Sequence, residues 1–268
     1  MRAWTLGSGS RGNALLLECD GTRVLIDTGF GLRALTRRLS AIQVRPESIA
    51  AVVVTHEHMD HARGVAQAQA RWQWQVFGSA GTLGRIAGLE HTRTTTAVPG
   101  AAWIVGSLSL ELLSVAHDAA SPTAVLATSL QSGFRTGVAH DLGSIDDELR
   151  AGFRGLDLLF LESNHDEDML RNGPYPRFLQ DRIAGRCGHL SNRQCALLAA
   201  ELAGKALGEL VLLHLSEVNN SPEIAVAAVS RVVRGGRRRC RVRAAPQHEP
   251  AGPFGLTARG LEQLTLAL

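Results

Sequence analysis

Cysteine is scarce in this chain of 268 residues. The four present, Cys19, Cys187, Cys195 and Cys240, include no C-x-x-C pair, which argues against a zinc ribbon or a thioredoxin-like redox motif. Aromatic residues make up only 4% of the sequence, too few to suggest a sequence-specific reader of single strands by base stacking. No apolar run reaches the roughly 18 residues that span a bilayer, so no membrane partner is expected. The start, Met1 to Gly12, lacks the basic region, apolar stretch and small-residue cleavage site of a secretory signal. The expected location is therefore the cytoplasm, with the thiols reduced. A net charge of +3 does not by itself imply nucleic acid.

What is present reads as a layered α/β protein. Hydrophobic residues are 45% and charged residues 20%, ordinary for a globular chain long enough to bury a core. Neither an internal repeat nor a long linker is visible, so one domain over residues 1–268 is expected. Two apolar runs flank Asp20-Gly21, the signature of a hairpin. The β-branched run Ile49–Val54 reads as a buried strand. Further strands are expected at Leu156–Leu161 and Gly208–Leu213. Periodic Leu and Ala positions after Ser191 predict a capped helix over Asn192–Ala203. Helices are also expected at Leu32–Leu39, Pro176–Ala184 and Pro222–Val233.

The chemistry concentrates after the strand that ends at Val54. Residues 55–61 read Thr-His-Glu-His-Met-Asp-His, four ligand-type side chains within six residues. Imidazole and carboxylate together suit Zn²⁺, Mn²⁺ or Fe. In an extended loop, alternation lets His56 and His58 face one ion while Asp60 and His61 face another. His117, Asp141, Glu162 and His214 also stand at strand ends. Asp118 follows His117 directly, and either side chain could be the ligand there. An arginine-rich stretch lies near the C-terminus: Arg231, Arg234, Arg237, Arg238, Arg239, Arg241 and Arg243. It reads as a solvated turn between a helix and a strand, or as a contact to a nucleic-acid backbone.

These pieces resemble the metallo-β-lactamase fold superfamily. H-x-H-x-D-H is similar to its signature. Asp27 in Leu-Ile-Asp-Thr-Gly resembles the first motif, an aspartate that supports the metal loop. His117 in Ala-His-Asp resembles the third-motif histidine, Asp141 in Ala-His-Asp-Leu-Gly the bridging aspartate, and His214 in Leu-His-Leu-Ser the last histidine. The likeness spans about residues 3–225. Leu6–Ser10 with Gly12-Asn13, Leu161–Asp166, Gly188–Asn192 and His214–Ser216 with Asn219-Asn220 narrow the resemblance to the YycJ/WalJ (VicX) branch, related to ribonuclease Z and the PhnP phosphodiesterase. His140 departs from that pattern, where a threonine is expected.

The resemblance implies a four-layer αββα sandwich with a dinuclear site. His56, His58 and His117 would hold one ion, and Asp60, His61 and His214 the other, with Asp141 between them. Zinc or manganese is expected, with iron an alternative. Two ions roughly 3.5–4 Å apart can activate a bridging hydroxide for hydrolysis. Asp60, Glu162 and His189 are the expected catalytic residues, the Glu162–His189 pair protonating the leaving oxygen. Read from the residues themselves, Ser8, Asn13, His165, Ser191 and Asn192 are the expected substrate contacts, Ser191 and Asn192 adding side-chain donors to the phosphate-attracting N-terminus of the helix they open. The implied activity is a metal-dependent phosphodiesterase, most simply a 5′-to-3′ exonuclease on DNA or RNA ends. One alternative is action on small cyclic or alkyl phosphodiesters. The second is a non-catalytic, metal-bearing regulatory module. A homodimer is also compatible with such a fold.

Overall fold

A computed structural model describes residues 1–203, 206–233 and 240–255. Two seven-stranded mixed sheets dominate it. The first contains β1 (Arg2–Gly7), β2 (Ala14–Cys19), β3 (Thr22–Ile26), β4 (Ala51–Val54), β5 (Gln75–Gly78) and β6 (Thr94–Thr96), with β14 (Ala251–Phe254) beside β1. The second contains β7 (Trp103–Val105), β8 (Leu108–Ser114), β9 (Thr123–Ser129), β10 (Arg135–Ala139), β11 (Leu158–Glu162), β12 (Glu209–Leu213) and β13 (Arg241–Ala244), in that spatial order. Each sheet is antiparallel at one side and parallel at the other. β3 to β6 run parallel, as do β10 to β13.

Side-chain alternation builds the layers. Leu15 and Leu17 of β2 pack between the sheets with Val24, Val53, Leu110, Val125, Phe160 and Val211. Leu16, between them in sequence, points the other way and joins Leu25 and Val52 under the helices. Those helices are α1 (Leu32–Ala41) and α3 (Val65–Trp72), which bury Leu35, Leu39, Val65 and Ala68. On the far side, α5 (Asp147–Gly152), α8 (Asn192–Leu202) and α9 (Pro222–Val233) cover the second sheet through Leu149, Leu198 and Val229. With helices on both outer faces, strands such as β2 and β12 are buried on both sides, as their unbroken apolar runs require. The result is the expected four-layer αββα arrangement. Among the described residues no helix is long and apolar enough to cross a membrane.

Three strands were not expected. β1 lies within a start that reads as Gly- and Ser-rich, β6 has three residues, and β14 falls in the stretch after Pro246 that carries no strand pattern. Of the arginine-rich stretch, Arg234, Arg237, Arg238 and Arg239 lie outside the described residues. Arg243, on β13, pairs with Glu209 at 3.2 Å.

Candidate metal centre and active site

Parallel strands finish together at one edge of the molecule. Glu162 is the last residue of β11 and pairs with Leu213, the last of β12. His214 follows immediately, and Asp141 lies two residues beyond β10. From the first sheet, β4 ends at Val54 and delivers the 55–61 loop and α2 (Met59–Ala62). The edge beyond the C-terminal ends of parallel strands is the usual ligand-binding position in such sheets.

Asp27 sets the loop. It follows β3 with a φ of 62°, in the left-handed region that aspartate tolerates better than most residues. Its Oδ1 accepts the Thr55 backbone N–H at 2.8 Å. Its Oδ2 accepts the Thr55 hydroxyl and lies 2.8 Å from His61 Nδ1. His140, the departure from the family pattern, also comes within 3.2 Å of this oxygen. Burial pushes the Asp27 carboxyl up, but His61 and His140 outweigh it and hold the group far below the ordinary aspartate range. Gly29 is needed for close approach, since a Cβ there would stand 1.7 Å from the Asp60 carbonyl oxygen.

The separated ligand candidates converge. His56, His58, His117 and Asp141 each present a donor atom within 4.8 Å of the others, and Asp60, His61, Asp141 and His214 form a second such group. Asp141 belongs to both. Its Oδ2 lies 3.3 Å from His56 Nε2, 3.3 Å from His61 Nε2 and 3.5 Å from His117 Nε2. Distal nitrogens hold several rings in place: His117 Nδ1 lies 3.0 Å from the Gly188 carbonyl, and His56 Nδ1 lies 3.1 Å from Thr55 Oγ1. Such contacts leave Nε2 as the donor atom.

The donor set fits divalent cations. His56 Nε2 and His214 Nε2 are buried with no hydrogen-bond partner, although buried polar atoms are ordinarily satisfied. Among the described residues, every ion pair of Asp27, Asp60, Asp141 and Glu162 is to a histidine, with no Lys or Arg among them. Without ions, imidazolium must balance this buried negative charge. Accordingly, His61 and His214 are pushed well above the ordinary histidine range: burial opposes the shift, and Asp141 overrides it. Burial and the neighbouring His61 charge press His56 down to about 4, and burial lowers His117. Neutral imidazole is the form that ligates a metal.

Glu162 and His189 are paired beside this cluster. Glu162 is fully buried. Its Oε2 accepts the backbone N–H groups of Leu142 and Leu190 at 2.8 and 3.0 Å. Its Oε1 lies 2.7 Å from His189 Nδ1 and 3.3 Å from His214 Nδ1. Burial pushes His189 down, but Glu162 outweighs it and raises the imidazole. His189 also lines a cleft of about 270 Å³ with His58, Asp60, His117, Asp141 and His214.

The residues expected to contact substrate lie outside the lining of this cleft. Ser8 is buried and its Oγ accepts the His214 N–H at 2.8 Å, fixing a residue whose φ is 54°. Asn13 is buried, bonds Gly9 in both directions, and places Nδ2 3.0 Å from His61 Nε2. Asn192 bonds Ser163 and Asn220. Ser191 caps α8 in a reciprocal capping box with Gln194 and donates to Glu167. None of the four lines the cleft; their polar atoms are spent on the scaffold. His165 and Ser191 line a different, larger cleft of about 380 Å³.

One residue at the histidine cleft carries no local sequence signal. Arg182, on α7 (Arg177–Ala184), lines the cleft and bonds Asp118 through Nε at 3.1 Å and through Nη2. Asp118 in turn brings Oδ1 within 3.2 Å of His117 Nε2 and 3.9 Å of His58 Nε2. Thus both members of the His117-Asp118 dipeptide reach the site.

Residues 22–215 match the model of the beta-lactamase superfamily domain, so the chain belongs to that superfamily. Among curated proteins it is 30% identical over 229 residues to exodeoxyribonuclease WalJ of Streptococcus pneumoniae serotype 2, covering 82% of this chain and 83% of the relative. It is 28% identical to exodeoxyribonuclease YycJ of Bacillus anthracis, over 85% of this chain and 87% of the relative. Solved structures share the fold. The metallo-beta-lactamase fold protein YhfI of Bacillus subtilis aligns with a TM-score of 0.72 at 20% identity, over 93% of this chain and 98% of its own. The short form of human tRNase Z aligns at 0.65 and 16% identity, over 95% of this chain and 100% of its own.

Proposed function

We propose that the chain is a metal-dependent phosphodiesterase that removes nucleotides from DNA, most simply as a 5′-to-3′ exonuclease. One observation carries this reading: two sets of metal-donor atoms sharing Asp141 stand beside a buried carboxylate–imidazole pair in one cleft. The curated relatives named as exodeoxyribonucleases, similar along most of their length, support DNA as the substrate.

His56, His58, His117 and Asp141 would hold one ion, and Asp60, His61, His214 and Asp141 a second, zinc or manganese by donor chemistry. Bound there, two divalent ions would acidify water toward neutral pH and screen the charge of an in-line displacement. The chain's own residues do the rest. Asp27 and Asn13 orient His61. Glu162 holds His189 through Nδ1 and stabilises its protonated form. His189 then gives up a proton from Nε2 to the departing ester oxygen, a role worth about 10²–10⁴ in rate. Leu179 and Ile183 of α7 wall the cleft on one side and limit its water.

The test couples metal analysis of the purified chain to cleavage of end-labelled DNA and RNA, with bis(p-nitrophenyl) phosphate in parallel. Mononucleotide release from one DNA end, abolished by Asp60→Ala, is the expected result. Turnover of the small ester with no polymer cut at any salt concentration refutes the nuclease reading in favour of a small phosphodiester. Full hydrolysis by the Asp60→Ala variant refutes the metal mechanism.

A further inference from the structure

The segment that walls the histidine cleft carries arginines that the metal chemistry does not use, one of them, Arg182, in the cleft lining itself. Residues 171–186 hold Arg171, Arg177, Arg182 and Arg186, all exposed, against one acid, Asp181. Arg182 pairs with Asp118, while Arg171, Arg177 and Arg186 make no ion pair among the described residues. In the middle of this segment Phe178 is 75% exposed, the only aromatic side chain among the large exposed hydrophobics of the described residues. A chain so poor in aromatics has left one in water, on the helix that walls the cleft.

Helix geometry relates these residues. Leu179, Arg182 and Ile183 of α7 line the histidine cleft, whereas Arg177, Gln180, Asp181 and Ala184 line the larger cleft on another face of the helix. Phe178 and Arg182 are four residues apart, so they neighbour each other on one stripe with a rise of about 6 Å. Phe178 therefore stands on the outer rim, one turn along the helix from an arginine at the cleft mouth. An aromatic face one turn from an arginine is the chemistry that holds single-stranded nucleic acid: a base stacks on the ring and a phosphate meets the guanidinium group.

We propose that α7 is the docking surface for the single-stranded end of a DNA substrate, with Phe178 stacking a base and Arg182 contacting the phosphate nearest the cleft. This rests on the nuclease reading and names how the polymer is held. Asp118 keeps the Arg182 side chain over the cleft in the free protein and yields it to a phosphate oxygen when the strand arrives.

The test is equilibrium binding of the full chain to a fluorescent single-stranded phosphorothioate oligonucleotide, which resists cleavage, followed by anisotropy across a salt series. Phe178→Ala weakens binding by about 5- to 150-fold, the range for loss of one stacked base, and Phe178→Trp restores it. Arg182→Gln lowers the slope of log affinity against log salt by about 0.7, the loss of one phosphate contact on a single strand. Both side chains are largely exposed, so unchanged melting temperatures separate these effects from unfolding. Binding undiminished in Phe178→Ala, with an unchanged salt slope in Arg182→Gln, overturns the docking surface and leaves the nuclease reading intact. Failure of the unaltered chain to bind any single strand also overturns the docking surface, whereas the nuclease reading falls only if end-labelled DNA is not cut.

Discussion

Replacing Asp27, which supports the proposed ligand His61, by asparagine should weaken metal binding at the site. The asparagine side chain would keep the shape and tolerate the same left-handed backbone, so strain does not confound the change. Its carbonyl oxygen can still accept the Thr55 N–H in place of Oδ1. The amide NH₂ then faces His61 Nδ1, where a carboxylate oxygen stood 2.8 Å away. Two N–H donors cannot face each other, so His61 must move its proton to Nε2. That closes the lone pair proposed to ligate an ion. Losing such a supporting partner costs about 10–100-fold in metal affinity. In the metal-free chain the cost appears as stability instead. Removing one partner from a buried charged network costs about 3–5 kcal/mol. At about 2–4 °C per kcal/mol for a chain of this size, the melting temperature falls by about 6–20 °C. Zinc titration against a chromophoric chelator gives the affinity, and circular dichroism melts in chelator give the stability. An Asp27→Asn chain that binds zinc with unaltered stoichiometry and affinity would refute the tautomer argument, whatever its stability.

Three other outcomes follow from the geometry. Alanine at His189 lowers kcat by about 10²–10⁴ with metal content intact, measurable by steady-state kinetics beside elemental analysis; loss of bound metal in this variant would contradict its separate role. Alanine at Gly29 drives a methyl group into the Asp60 carbonyl and should cost several kcal/mol along with metal binding, of the order of overpacked core sites at about 1–3 kcal/mol or more; a wild-type melt disproves the close approach. Among the thiols, Cys195 is buried and its pKa is pushed up to about 12 by burial, while Cys187 is exposed. A chromogenic disulfide reagent should therefore modify Cys187 in the native chain and Cys195 only on unfolding, and equal rates for the two would rule out this packing.

The sequence shows some of this arrangement readily and hides the rest, for physical reasons. Strands such as β4 and β11 are legible because burial on both faces forces an unbroken apolar run. β1 and β14 pair with each other across nearly the whole length of the chain, a contact to which no local pattern testifies. At the site, His56 to His61 are read at once because four ligand-type residues crowd one turn. Asp141, Glu162 and His214 are legible because each closes an apolar strand. The expected substrate contacts at Ser8, Asn13, Ser191 and Asn192 fared differently. Residue type identifies a group that forms hydrogen bonds, but only packing decides whether it turns to the cleft or to the scaffold. Arg182 and Phe178 are invisible for the converse reason, since their place depends on how α7 lies across the strand ends.

The donor atoms divide unevenly along the chain. His56, His58, Asp60 and His61 all follow β4 in the first sheet, while His117, Asp141 and His214 all belong to the second. Metal held among them would act as a clasp between the two sheets. Neither sheet alone owns a complete set, so a polypeptide severed between β6 and β7 would regain tight zinc binding only when its two fragments reassociate. Zinc affinity thereby becomes a direct gauge of sheet-on-sheet docking.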